Sequence, residues 1–374
     1  MQSRTTLAAI LRERTNDVSK FKTVTGFDGF VDEMIHPVCQ RHDTGTYRRV
    51  ETIDRFGDLI KAAAGHSSLR EIVVTETDPG GCAINMGDGL ATLGVAVETF
   101  ATVGEPLNPA FLEYSEKAKL HSWGAEPGRT LAFEFNDGKL MFSSVSPLAE
   151  FTPQRIAKYL KDGTFLRACY AADLIAITDW TLFPHMTACW TSLQADVFSK
   201  LKHRPQFFFD LVDPVSRSEE DIAAMLQVLS GFSHYGTVTL GLNQNEANLL
   251  SKITGGQGLL TPDPAEAQAQ AQQLLETLKI SEIVIHSVAY AVSASAEGSA
   301  QTAGPVCATP KKLTGAGDRF NAGYALGLLL KLNTEHRLQL AVATSGLYVR
   351  QGKSATLEQV IQFIESWAQQ PNLP

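Results

Sequence analysis

Cysteine is scarce in this chain of 374 residues, and what there is lies scattered. Cys39, Cys82, Cys169, Cys189 and Cys307 are odd in number and form neither a CxxC pair nor a Cys/His cluster. That argues against a disulfide framework and against a zinc site, and it fits a reducing, cytoplasmic setting. Long apolar runs are missing too. None reaches the roughly 18 residues that suggest a membrane span, and the start of the chain leads into an amphipathic stretch with Arg12 and Arg14, not into an apolar signal core. Positive charge is in deficit, with 32 Lys and Arg against 40 Asp and Glu. The net charge of −8 carries no nucleic-acid footprint. No internal repeat and no low-complexity linker divides the chain.

What is present is an alternation of short apolar runs with helical patterns, the mark of parallel βαβ units. Strands are expected at Lys22–Phe27, Val95–Val103, Leu174–Thr178, Phe207–Leu211, Thr237–Leu242 and Ile283–Ser287. Helices are expected near Asn85–Leu93, Glu219–Leu229, Gln244–Leu250, Ala265–Leu278 and Asp318–Leu332, with two more from Leu338 to Trp367, broken around Gly352. Two β-rich pieces interrupt this rhythm. Thr130–Ser144 alternates around Asn136-Asp137-Gly138, a strong hairpin signal, and Ile72–Thr77 is the second. They suggest a small separate sheet covering an active site. Glu51–Ala64 reads as an inserted helix with Ile53, Phe56, Leu59 and Ile60 on one face.

The stretch Thr314-Gly315-Ala316-Gly317-Asp318 precedes the Asp318–Leu332 helix. Small residues there leave backbone N–H groups open to an anion, and the helix dipole adds positive potential. Asp318 alone also reads as a helix N-cap. Two familiar phosphate motifs fail: Leu347 stands where a P-loop ending in Gly352-Lys353-Ser354 needs glycine, and Phe320 stands at the third glycine of a dinucleotide fingerprint. An anion loop carrying a carboxylate suits phosphoryl transfer, in which backbone donors stabilise the moving group and the carboxylate takes the hydroxyl proton. The helix N-terminus is expected to keep Asp318 ionised at neutral pH.

The stretch Thr314–Gly323 closely resembles the C-terminal signature of the ribokinase-like (PfkB) carbohydrate kinases. Gly80-Gly81-Cys82-Ala83-Ile84-Asn85-Met86-Gly87 resembles their N-terminal signature, and Asn243-Gln244-Asn245-Glu246 their Asn-x-x-Glu element. The resemblance implies an α/β fold with three α/β/α layers, a central mostly parallel sheet and a small β lid. It implies one kinase domain over 1–374, with lid strands within 36–78 and 128–145. Asp318 would be the catalytic base and Gly315, Ala316 and Gly317 the anion hole. Asp32, put first by its spacing from Gly26, would hold the substrate with Gly80, Gly81 and Asn85; Asp28, closer to the expected strand end, is the second candidate. Asn243 and Glu246 would organise Mg2+ through its water shell, a pair that also reads as a capping box. Thr314, Ser287 and Arg217 would lie at the nucleotide, although Arg217 reads equally as a solvated loop arginine and His286 as an ordinary polar residue.

The activity so implied is transfer of the ATP γ-phosphoryl group to a hydroxyl of a sugar or polyol, by a homodimer whose lid strands meet. A nucleoside kinase, an ADP-dependent sugar kinase and a catalytically silent sugar-binding regulator share the same scaffold. Three departures bear on the substrate: Lys312 replaces an aspartate two residues before Thr314, which argues against potassium activation; Gly104-Glu105-Pro106 replaces Gly-Asp-Asp; and the segment before Gly80 is long.

Overall fold

A computed structural model describes residues 2–259, 261 and 263–370, so the outermost residues of the 1–374 span lie outside it. Two sheets organise the chain. The larger has nine strands in the order β14-β13-β12-β11-β10-β9-β1-β5-β6. Its members are β1 (Lys22–Phe27), β5 (Ala96–Ala101), β6 (Lys119–Ser122), β9 (Leu174–Thr178), β10 (Gln206–Asp210), β11 (Thr237–Asn243), β12 (Glu282–His286), β13 (Tyr290–Ser295) and β14 (Gly298–Ala303). Every pairing from β12 to β6 is parallel, and only β13 and β14 run antiparallel.

Successive side chains of a strand point to opposite faces, and β10 shows what that builds. Phe207 and Phe209 enter one apolar cluster with Trp190, Leu229 and Phe232. Phe208 enters the other with Leu7, Tyr324, Ile361 and Trp367. Helices Met186–Asp196, Glu219–Gly231, Gln244–Ile253 and Pro264–Leu278 cover the first face. Helices Gln2–Val18, Cys82–Thr92, Ala316–Leu329, Thr334–Gln351 and Leu357–Gln369 cover the second. The result is three layers, α/β/α. Each aromatic or aliphatic side chain buried in them contributes about 1.5–3 kcal/mol.

The second sheet stands apart. Its five strands are β2 (Phe30–Arg41), β3 (Tyr47–Arg49), β4 (Ile72–Gly80), β7 (Gly128–Phe135) and β8 (Gly138–Ser144). β2 is central, antiparallel to β3 and β4 and parallel to β7. The Asn136-Asp137 turn joins β7 to β8 as the residue pattern predicts. Helix Ile53–Ala62 packs on this sheet through Phe56, whose ring lies 5.6 Å from Phe133 and 5.4 Å from Phe135. The sheet begins at Phe30, ahead of the expected limit of 36, because β2 follows β1 after only two residues. Among the described residues no helix is long and apolar enough to cross a membrane.

Candidate active site

The carboxyl ends of parallel strands are where an open α/β sheet binds ligands. Here β1, β9, β10, β11 and β12 end beside the N-termini of helices Cys82–Thr92, Gln244–Ile253 and Ala316–Leu329, and the charged residues singled out above gather there.

Asp318 lies in the first turn of helix Ala316–Leu329 and is 8% exposed. The chain enters that helix through Gly315, whose φ of 80° is left-handed and which a side chain would crowd against Arg319 and Tyr348. Ala316 N–H donates to the Leu313 carbonyl at 3.1 Å, so it is already engaged. Among the described residues the N–H groups of Gly317 and Asp318 have no acceptor, and these are the open donors of the loop. The expectation of an ionised Asp318 does not hold for the protein alone. Burial, then the charge of Asp210, push its carboxyl up to about 7 against the opposing pull of Arg319 and of the Cys82 thiol. Desolvation of a carboxylate outweighs the helix dipole here.

Asp28 and Asp32 have different surroundings. Asp28 is 1% exposed and accepts from Ala83 N–H at 2.9 Å, from the Thr178 hydroxyl at 2.8 Å and from Cys82 N–H. It caps helix Cys82–Thr92 from the two-residue link between β1 and β2, and Gly81, with φ of 98°, lets the backbone pass against it. Its acceptor capacity is spent inside the protein. Asp32 lines a cavity of about 620 Å³ together with Met34, Asp78, Asn85, Lys312 and Thr314. Burial pushes its carboxyl up to about 6, and Asp78 adds to this, while Lys139 and Lys312 oppose it. Gly80 stands opposite Asp32's strand neighbour Phe30, and a side chain there would collide with the Asp32 carboxylate. Asn85 presents its amide toward Gly315.

On the far side of the loop, Asn243 and Glu246 form a complete capping box. The Asn243 side chain accepts from Glu246 N–H at 3.0 Å, and Glu246 accepts from Asn243 N–H at 2.8 Å and from its amide at 2.7 Å. Burial, then Asp210, push Glu246 up to about 8. Thr314 is held by its carbonyl, which accepts from the Tyr348 hydroxyl at 2.6 Å, and by Lys139, whose ammonium donates to its hydroxyl at 3.1 Å. Ser287 and Arg217 are committed elsewhere. The Ser287 hydroxyl donates to the Tyr290 carbonyl at 3.1 Å, closing the turn into β13. Arg217 donates to the carbonyls of Thr181 at 3.1 Å and Phe183 at 3.2 Å, and its guanidinium lies 4.2 Å from the Trp180 ring. Arg217 therefore staples two loops through one guanidinium nitrogen.

Several participants escaped the sequence reading. Asp179, buried with a φ of 56°, and Asp210 join Asp28 and Asp318 in a cluster whose members raise one another's pKa. Asn321 donates to Asp210 at 2.6 Å, and its own amide oxygen is buried without a partner among the described residues. Arg319, inside the signature, donates to Asp88 and to Ser354, each at 3.0 Å, and anchors the loop from below. No local spacing announces these contacts. A further aspartate at the end of an apolar run, as in Thr178-Asp179 and Phe209-Asp210, was the one available signal.

Among the described residues no three His, Cys, Asp or Glu side chains are arranged to ligate a metal directly. The carboxylates still fit a divalent ion held through water. Asp210, Asp213 and Asp318 all push Glu246 toward its protonated form, and a nearby cation would relieve that repulsion.

Comparison with known proteins bears on the whole chain. A family model described as prokaryotic ketohexokinase matches residues 2–367. A curated ketohexokinase of Haloferax volcanii is 25% identical over 349 residues, covering 92% of this chain and 91% of that protein. A ribokinase structure from Thermotoga maritima superposes with a TM-score of 0.60 at 16% identity, covering 92% of this chain and 99% of that one. An Escherichia coli structure described as a ribokinase II with ATP and Mg2+ gives 0.57 at 16% identity over the same shares. At such identity these two structures speak for the fold.

Proposed function

This chain belongs to the prokaryotic ketohexokinase family, and on that premise we propose that it transfers the γ-phosphoryl group of ATP to a hydroxymethyl oxygen of a ketohexose, with Asp318 as the base. It is a carbohydrate kinase, a phosphotransferase with an alcohol acceptor. The observation that carries the mechanism is the junction of Asp318 with the unclaimed N–H groups of Gly317 and Asp318 itself. A base and an anion site share one helix turn.

In the reading we favour, Asp32, Gly80, Gly81 and Asn85 hold the sugar. Asp32 accepts hydroxyl hydrogen bonds, and the amide of Asn85 orients the acceptor. The acceptor oxygen forms a bond to phosphorus as its proton passes to an Asp318 carboxylate oxygen, and the bond from phosphorus to the bridging oxygen of ADP breaks. The loop N–H groups stabilise charge on the equatorial oxygens. Asn243 and Glu246 would hold Mg2+ through its water shell, where the ion would supply positive charge to the phosphates.

The chain is read as one kinase domain with the small sheet as its lid. Asp318 does not line the cavity beneath that sheet, so entry of the acceptor calls for the sheet to move and then to exclude water. In a dimer, a second copy would cover the exposed Ile72, Val74 and Phe142 of the small sheet. Five free cysteines suit a reducing compartment, the cytoplasm.

A coupled assay offering ATP or ADP with ketohexoses, aldohexoses and nucleosides tests the substrate reading. Turnover is expected with ATP and a ketohexose. Preference for ADP or for a nucleoside would overturn it.

A further inference from the structure

We propose a second small-molecule site at the opposite end of the large sheet, a cavity at the amino ends of β10, β11 and β12 that takes a neutral polyhydroxylated ligand. Its volume is about 380 Å³, within the range of small-molecule pockets. Gln206, Thr237 and Glu282 are the first residues of these strands, and Ser295 is the last of antiparallel β13. Gln206 is in register with Thr237, and Glu282 with both Thr239 and Ser295, so all five side chains share one face. Farther along the same strands that face is apolar, through Phe208, Val284 and Ala291. At the amino ends it turns polar, although helices still cover it: Leu328, Lys331, Leu332 and Arg337 complete the cavity.

Two charged side chains of its wall are nearly buried, Glu282 at 4% exposure and Arg337 at 7%, and neither is fully engaged. The Tyr324 hydroxyl at 2.6 Å, Arg337 Nη2 at 2.9 Å and the Ser293 hydroxyl at 3.0 Å all donate to Glu282 Oε1. Among the described residues Oε2 has no donor, and it is left for the cavity that Glu282 lines. Arg337 Nη2 also donates to the Thr334 hydroxyl at 3.1 Å, but among the described residues neither Nη1 nor the buried Nε has an acceptor. Unfilled hydrogen-bonding capacity on buried charges is costly until a partner supplies it. That partner must donate to a carboxylate oxygen and accept from a guanidinium in one small space, and a hydroxyl does both. Glu282 and Glu297 balance Lys331 and Arg337, so the walls favour neither an anion nor a cation, while Leu328 and Leu332 offer a side for the carbon skeleton. Helix Ala316–Leu329 carries Leu328 about 15 Å along its axis from Asp318, which keeps this cavity apart from the catalytic end.

The test is an NMR titration of the full chain with fructose, with sorbitol and, as an anionic comparison, with fructose 1-phosphate, following the Nε–Hε resonance of Arg337. A saturable shift is expected with fructose or sorbitol, in wild type and equally in Asp32→Ala, which lacks the carboxylate proposed to grip sugar at the catalytic end. Thr237→Trp, at the exposed mouth of the cavity, is expected to abolish the shift by filling the space while leaving the KM for ketohexose unchanged. Losing a hydrogen bond to a charged group weakens binding about tenfold to a hundredfold, and Glu282→Gln is expected to show that loss. If Glu282→Gln does not fold, Thr237→Trp decides alone. No saturable shift with either polyol overturns the proposal, as does a shift that survives Thr237→Trp. A shift that vanishes in Asp32→Ala assigns the signal to the catalytic cavity and overturns it too. Tighter binding of fructose 1-phosphate than of the neutral polyols contradicts the charge balance on which the ligand class rests. Each of these results leaves the kinase reading standing, since that reading is tested by turnover.

Discussion

Asp318 sits where two demands conflict. As the proposed base it must be ionised, and as a buried neighbour of Asp210 it resists ionisation. A base poised near 7 is well matched to work at neutral pH. The acid limb of kcat/KM is therefore expected to have a midpoint near 7, well above an ordinary aspartate. Removing a negative neighbour eases ionisation, so Asp210→Asn shifts that limb to lower pH; a limb that stays in place contradicts the assignment. The same conflict has a sign in stability. A carboxyl whose folded pKa is raised binds protons on folding, so stability falls as pH climbs from about 4 to about 7. Asp318→Asn should accordingly raise the melting temperature of the ligand-free protein, more at pH 8 than at pH 5. A gain that is equal at both values would trace to something other than the buried charge. Asp28 answers to a different test. Asp28→Ala leaves the N–H groups of Cys82 and Ala83 without their acceptor, at a cost of about 1–3 kcal/mol for each buried donor. Urea midpoints measure it, and an unchanged midpoint would mean that Asp28 is not a cap.

Between elements, two lysines tie the small sheet to the anion loop. Lys312, just before the signature, pairs with Asp78 of β4, and Lys139 of β8 donates to Thr314 at 3.1 Å. Asp78 lies across from Asp32 in the β2–β4 register, so the tie reaches the carboxylate proposed to bind sugar within one strand pair. Breaking the pair should loosen closure. Lys312→Ala and Asp78→Asn are each expected to lower kcat/KM several-fold, and the double variant to lose little beyond either single one. Such non-additivity is the signature of a direct pair; additive losses would separate the two residues. The elements also show where residue patterns stop being informative. The parallel strands β1, β5, β9, β10, β11 and β12 have both faces covered and were legible as apolar runs for that reason, whereas the polar edge strand β6 was not. β2 was not. It meets three partner strands, with register shifts at Met34/Ile35 and Val38/Gln40, and carries Asp32, Glu33, His36 and Pro37, so no period of two survives. The β13–β14 hairpin, rich in Ser and Ala, lacks the apolar alternation that reveals an edge pair.

For the molecule as a whole, the three signatures lie far apart in sequence and come together only because parallel strands end on one edge. Motif order was enough to read the fold and the loop with its carboxylate. The spacing from Gly26 put Asp32 ahead of Asp28, but the physical reason was not legible, because only the fold shows that Asp28 is spent on a helix. The misplaced protonation state of Asp318 has the same origin: the dipole is local, whereas Asp179 and Asp210 arrive from other strands. The most direct measurement is ATP-dependent ketohexose phosphorylation by wild type and Asp318→Asn, with ATP affinity measured on both. General-base catalysis is worth about 10²–10⁴ in rate. The account predicts that kcat falls by that factor while ATP binding persists. An Asp318→Asn enzyme that turns over ketohexose like wild type would contradict it.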